Sequence, residues 1–379
     1  MVLKKLRFKV IRYKLVRLKN IFFLPTIYEL RFFFKNKLSF IVNSIDTTEN
    51  IAIYDLRANP ITFDFVHFLG GASFFFKDKG GKFRLFIVSD NAETTGKSTW
   101  ENYGDIINTE KQNTRIYSLL MPIAFCFSQC KQSIDLIKPK DLPYFLNKKN
   151  NIYPLRKKSN FYNSRFTGPV MDYKSIFSYI LNSDFKPDIN PPSFYNQVVK
   201  NYFEFIKNES IKKFKYVITL TLRSYEFQQA RNTLSEDIDF LNNFCIKNKI
   251  LLIIVPDTDR VPTKEQNLIL KKYKNVIWDA PSHCIFLRLS LYQESLLNIM
   301  NLNGPMALSI LSSKSRSIIL NFGDETHSSN AGKSFSEKEY GIQENSQPYS
   351  RFSCLLQWNK LDNLELEEHI KKLCPELGI

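Results

Sequence analysis

The sequence predicts an α/β protein built of two halves, each a parallel sheet with helices packed on it, and three observations predict it. Apolar runs at 51–56, 83–88, 216–222 and 250–255 are short, are bounded by polar turns, and fit strands buried on both faces. Helix-length segments separate the runs of each half, the spacing of parallel strands joined by crossover helices. The run Lys186-Pro187-Asp188-Ile189-Asn190-Pro191-Pro192 divides the chain near its middle, and Pro at this density reads as a linker. A length of 379 residues suits two domains, taken as 45–186 and 187–379, preceded by a basic extension, 1–44.

In the extension, Leu3, Leu6, Val10 and Tyr13 recur at helical spacing, yet Lys and Arg occupy nearly every face. Two readings stand side by side. The segment lies on an anionic membrane surface, where each cation contributes about 1 kcal/mol, or it is a solvated, partly helical extension packed on the domain. Nothing in it resembles a stacking platform for nucleic acid.

The first domain opens with a strand, 51–57, a turn at Pro60 and a helix, 61–75. A second strand, 83–88, follows, then a helix, 115–130, that carries Cys126 and Cys130, and a strand, 133–137. In the second domain a helix, 193–207, leads into a strand, 216–222, that ends at Arg223. Next come a helix, 235–247, capped by Ser235 with acids in its first turn, and a strand, 250–255. A helix at 264–274, a strand at 276–278, a helix at 287–300, a helix opening at Pro305 and a strand at 318–320 complete the alternation. An amphipathic helix, 364–373, closes the chain. The result is two Rossmann-like domains facing a central cleft, with ligand expected at the carboxyl ends of the strands.

Composition narrows the class. Hydrophobic residues are 44% and aromatics 14% of the chain, which excludes a disordered protein. The net charge is +16, but residues 1–38 hold seven Lys and four Arg against Glu29 alone, so +10 of it is amino-terminal. The remainder gives no nucleic-acid signal. Six cysteines form no CxxC pair, and reduced, buried thiols rather than zinc ligands are expected. No secretory h-region is present, and no apolar run approaches the ~20 residues of a membrane span.

Three groups of residues carry chemistry. The turn Asn303-Gly304-Pro305-Met306 opens a helix, where backbone N–H groups and the positive dipole end suit a phosphate. Arg223, with Arg231 and Asn232 eight and nine residues later, places planar bidentate donors on the loop above the second sheet. Asp55, Arg57, Asp64 and His67 fall at the first strand end and the start of its helix, where any of the carboxylates or His67 could take a proton from a hydroxyl, with Asp55 and Asp64 preferred as a catalytic base. Gly70-Gly71 reads as a site of close helix packing or a helix end. No G-x-G-x-x-G or P-loop pattern exists.

The run from Arg288 through Tyr292 and Asn298 to Asn303-Gly304-Pro305-Met306 resembles the carboxyl-terminal domain of GT-B-fold glycosyltransferases. The likeness is to bacterial surface-polysaccharide enzymes distantly similar to lipopolysaccharide heptosyltransferases. Those carry an acid, a hydroxyl residue and then Gly-Pro-Met-His at this turn; here Leu302, Asn303 and Ala307 stand at the acid, hydroxyl and histidine positions. Gly304, Pro305 and Met306 carry over. Ile218-Thr219-Leu220-Thr221-Leu222-Arg223, Ile254-Val255-Pro256-Asp257-Thr258 and Tyr54-Asp55-Leu56-Arg57 resemble recurring strand ends of such proteins. The likeness spans about 50–360 and is strong over 216–322.

The resemblance implies a glycosyltransferase that moves a sugar from a nucleotide-activated donor to a glycan or lipid-linked acceptor, with the donor as substrate and no cofactor. Arg223, Arg231, Asn232, Asp257, Asn303, Gly304, Pro305 and Met306 would hold the donor. Asp257-Thr258-Asp259 resembles a metal-binding DxD, but the Gly-Pro turn already supplies phosphate donors, so metal-independent chemistry is expected. The expected place is the cytoplasm, with peripheral contact at the inner membrane face. A sugar-nucleotide epimerase of the same build and a non-catalytic basic membrane- or nucleic-acid-binding protein are the competing readings.

Overall fold

In a computed structural model, structure is described for residues 49–56, 59, 61–88, 114–138, 141–142, 150–154, 187–209, 214–223, 232–256, 268, 271–273, 277–320, 354–356 and 363–378. The basic segment 1–44, and both readings of it, lie outside them, as do Arg57, Arg231, Asp257 and Asp259.

Two parallel sheets form. In the first, β1 (Asn50–Asp55), β2 (Phe83–Val88), β3 (Cys130–Ile137) and β4 (Asn151–Tyr153) take the order β3-β2-β1-β4. Helix α1 (Asp64–Phe76) crosses from β1 to β2, and α2 (Met121–Cys126), entered through one wider π turn at Ile116–Leu120, leads into β3. The second half begins with α3 (Ser193–Glu209) and β5 (Tyr216–Thr221), then α4 (Ser235–Lys247) and β6 (Ile250–Val255). Short α5 (Ala280–His283), α6 (Ile285–Glu294), β7 (Leu297–Asn301), α7 (Met306–Leu311), β8 (Ser317–Leu320), β9 (Cys354–Leu356) and α8 (Asn363–Leu373) follow. Its strand order is β6-β5-β7-β8-β9, all parallel.

The predicted mixed α/β class with parallel sheets is the observed one. Both sheets belong to one compact unit, Glu49–Leu146 with Asn150–Ile379. Its largest apolar cluster runs between the halves, joining Phe65, Leu69 and Leu120 to Leu289, Tyr292, Met306 and Leu311. Burying a side chain of this kind contributes about 1.5–3 kcal/mol, so the contact of α1 with α7 is part of the core. Gly70 permits it: a Cβ there would sit 3.0 Å from Leu311 Cδ1, and α1 continues past Gly70-Gly71 to Phe76.

Four local expectations are corrected. The helix expected over 287–300 ends at Glu294, where Ser295 leaves helical geometry (φ −81°, ψ 146°), and Leu297–Asn301 is a fully buried central strand. A continuous apolar run without alternation suits a buried strand as well as a buried helix, and here sheet pairing on both edges wins. Cys126 and Cys130 do not share a helix: Phe127 turns extended (ψ 115°), and Cys130 opens β3. Ser235 is the first helical residue of α4 and not its cap; Asp237 accepts the N–H of Leu234 instead, at 3.4 Å. Of the strand expected at 276–278, the described residues retain a single bridge, Ile277 to Ile254.

Among the described residues Cys126, Cys130, Cys245, Cys284 and Cys374 are free thiols. Burial pushes Cys126, Cys130 and Cys245 up to about 12, which keeps them protonated and inert. Among the described residues no His/Cys/Asp/Glu group could hold a metal, and no helix is long and apolar enough to cross a membrane.

Candidate functional site

The order of the second sheet locates a site before any side chain is considered. The chain leaves β5, pairs β6 on one side of it, then crosses to lay β7 on the other. The two connections depart in opposite directions, and the carboxyl ends of the strands at such a reversal, here β5 and β7, are where ligands bind in open α/β sheets. Thr221 pairs in register with Met300, so Arg223 and Asn303 leave neighbouring strands side by side.

Polar side chains gather at these strand ends, Arg223, Asn301 and Asn303 among them buried. Arg223 is 6% exposed, and its backbone N–H donates to Thr233 Oγ1 at 2.9 Å while its carbonyl accepts from Thr233 N at 2.9 Å. The guanidinium donates to Asn232 Oδ1 at 2.5 Å, which holds the side chain over the strand end. Thr233 Oγ1, having accepted from Arg223, donates to Asn301 Oδ1 at 3.2 Å. That relay fixes the Asn301 amide, leaving its Nδ2 as the donor that faces away. Asn303 is fixed likewise: its Oδ1 accepts from Met306 N at 3.1 Å.

The Nδ2 atoms of Asn301 and Asn303 are both buried without a hydrogen-bond partner among the described residues. Leaving a buried donor unpaired costs about 1–3 kcal/mol. Two such donors, at the end of the strand next to the one that carries Arg223, form a donor set suited to an anion with several acceptor oxygens.

The helix that follows contributes less than its sequence suggests. Met306 N is taken by Asn303, Ala307 N by Gly304 O at 3.2 Å, and Leu308 N by Pro305 O at 3.1 Å. The first-turn N–H groups of α7 are therefore engaged within the turn. Gly304 has another duty: a Cβ there would lie 2.7 Å from Phe63 Cδ2, so only glycine lets Phe63 press on this turn. Pro305 and Met306 are buried in the same contact layer.

Phe63 immediately precedes α1, so this contact sets the amino end of α1 against the turn at Gly304. Asp64, the first residue of α1, is half-buried and accepts a hydrogen bond from the Thr62 hydroxyl at 2.8 Å. Asp55 differs from it. It is fully buried at the end of β1, and its carbonyl accepts from Asn59 Nδ2 at 2.7 Å. Of the two sequence candidates, only Asp64 combines partial exposure with a place beside the Gly304 turn. His67, one turn along α1, is buried; desolvation lowers it from 6.5 to about 4 against the opposing pull of Asp64, so it is neutral at neutral pH.

The structure thus brings Arg223, Asn232, Asn303, Gly304, Pro305, Met306 and Asp64 to one region and leaves Asp55 inside the first sheet. Arg231 and Asp257 lie outside the described residues. Sequence reading missed Thr233 and Asn301, because Asn301 was assigned to a helix–helix turn. Reading 297–301 as a strand would have aligned Asn301 and Asn303 at one strand end.

No protein-family model matches the chain, and no curated protein matches it in sequence. In structure it is similar to a glycosyl transferase family 9 protein from Veillonella parvula, at a TM-score of 0.46 and 9% identity, covering 88% of this chain and 99% of that one. It is also similar to the ADP-heptose LPS heptosyltransferase II of E. coli, at a TM-score of 0.38 and 9% identity, covering 88% and 100%.

Proposed function

We propose that this protein is a GT-B-type glycosyltransferase that moves a sugar from a nucleotide-activated donor to a glycan or lipid-linked acceptor in bacterial surface-polysaccharide assembly. The observation that carries the reading is the pair of fixed amide donors, Asn301 Nδ2 and Asn303 Nδ2, beside Arg223 at the strand-order reversal of the second sheet. The likeness of the run from Arg288 to Met306 supports it from the sequence side.

In the proposed reaction the bond between the anomeric carbon and the diphosphate oxygen breaks, and the diphosphate leaves with the electron pair. Arg223, Asn301 and Asn303 stabilise that developing charge, each donor of this kind being worth about 3–4 kcal/mol. Asp64 takes the proton of the acceptor hydroxyl as its oxygen bonds to the anomeric carbon. No metal takes part. The enzyme works in the cytoplasm, its basic amino-terminal segment holding it near a lipid-linked acceptor.

Replacing Gly304 by valine would not test this, since the side chain strikes Phe63 whatever the site binds. Asn303→Asp is the discriminating change. It keeps the oxygen that caps Met306 and replaces the donor with a carboxylate that repels diphosphate. Donor- and acceptor-dependent release of nucleoside diphosphate should fall by about 10²–10³-fold with folding intact; unchanged turnover would refute the placement. Conversion of a nucleotide sugar without any acceptor would instead favour an epimerase.

A further inference from the structure

Arg288 is fully buried in α6, and no role follows for it from the reading above. Its Nε donates to Pro281 O at 2.8 Å, which anchors the stem of the guanidinium. Nη1 and Nη2 are buried and have no hydrogen-bond partner among the described residues. A guanidinium cannot shed its charge, and a buried cation without an anion is among the costliest arrangements in a fold.

The position of α6 shows where that fork lies. The helix runs from the carboxyl ends of the strands to their amino ends. At its start, Ser282 of α5 donates to Pro256 O, one residue past β6. At its finish, Leu296 N bonds Val217 O near the start of β5. Tyr292 reaches up from the lower part of α6 to meet Thr221 Oγ1, at the last residue of β5, at 2.9 Å. Arg288 sits one turn earlier on the same face, and helical side chains lean toward the amino end. Its fork is therefore directed toward the carboxyl ends of the strands, the end of the sheet at which Arg223, Asn301 and Asn303 lie.

We propose that Arg288 is a further phosphoryl-binding residue, a buried bidentate fork, below the strand ends, that pairs two oxygens of the donor's diphosphate while Arg223 and Asn303 hold it from above. This rests on the diphosphate reading of those strand ends. The fork geometry of arginine matches two phosphate oxygens, which a lysine ammonium cannot reproduce.

The test titrates the full-length protein with inorganic pyrophosphate, inorganic phosphate and nucleoside diphosphates at matched ionic strength. The wild type, Arg288→Met and Arg288→Lys are compared by calorimetry and thermal shift. Arg288→Met fills a similar volume without charge. The ligand-free variant should melt no lower than the wild type, while its affinity for pyrophosphate and for nucleoside diphosphates falls at least about tenfold. Should the Met variant not fold, Arg288→Lys decides: a loss of at least about fivefold is expected, because the fork is gone although the charge remains. Wild-type affinity in the folded variant overturns the role of Arg288 while leaving the diphosphate reading in place. Loss confined to inorganic phosphate overturns it as a diphosphate contact. A wild type that binds neither pyrophosphate nor any nucleoside diphosphate overturns both readings together.

Discussion

The two sheets share a plan and differ at the place where the plan makes a pocket. In the first, the strand order reverses between β1 and β4, and among the described residues aromatic rings pack beside those strands. Tyr54 packs edge-on against Phe65 at 4.7 Å and Phe68 at 4.9 Å, and Phe68 meets Tyr153 at 5.4 Å. In the second, the reversal between β5 and β7 is flanked by Arg223, Asn301 and Asn303, buried and polar, and by half-buried Thr233. Among the described residues the same topology carries aromatic packing in one half and buried polar donors in the other. Topology decides where a ligand can sit, and the residues at the last strand positions decide whether one does. The first half is left with a different contribution: through Phe63 it presses on Gly304 and brings Asp64 to that turn.

Predictions that break or sharpen this contrast run from large to small. Asp64→Asn keeps the acceptor oxygen for Thr62 and removes the base; turnover should fall by about 10²–10⁴-fold, with donor affinity unchanged in a binding titration. Asp55→Asn, buried in the first sheet, should leave kcat within about threefold of wild type in protein that remains folded; a loss as deep as that of Asp64→Asn would reverse their roles.

Burial of His67 in the first half also predicts a pH effect. His67 titrates near 4 in the folded chain and near 6.5 when unfolded. The unfolded state therefore binds the proton first, and stability present above pH 6.5 is lost as pH falls toward 4, by about 3 kcal/mol in all. Urea unfolding of wild type and His67→Gln between pH 7 and 4 checks this, since the variant should lack that increment.

The smallest effect concerns the contact that joins the halves. Gly304→Ala should cost about 1–3 kcal/mol by overpacking against Phe63. Trimming the ring in Phe63→Leu should recover part of that cost, so the two changes combine to less than their sum. Strict additivity in chemical denaturation would show that the turn does not bear on Phe63.

Much of the scaffold was legible in the chain. Strands such as Phe83–Val88 and Ile250–Val255 were bounded by turns, and Ser235–Lys247 carried its acids at the start, so local signals sufficed. β7 was not legible, because Leu297–Asn301 follows a helix without Gly or Pro between them and its apolar run fits either period. Losing that strand hid the reversal of strand order and with it the place of Asn301 at a strand end. Arg223 and Asn303 could be chosen by residue type and by the turn beside them. The contact of Phe63 with Gly304 could not, since it joins segments far apart in sequence and leaves no periodic trace in either.

The central claim is that the second sheet holds a diphosphate at its strand ends through side-chain donors whose orientation the fold fixes. Isothermal titration of wild type and Asn303→Asp with a panel of nucleoside diphosphates and nucleotide sugars tests it most directly. Binding by the wild type that weakens at least about 10²-fold in the variant, with unchanged ligand-free melting, is the predicted result. Equal affinity in the two proteins would contradict it.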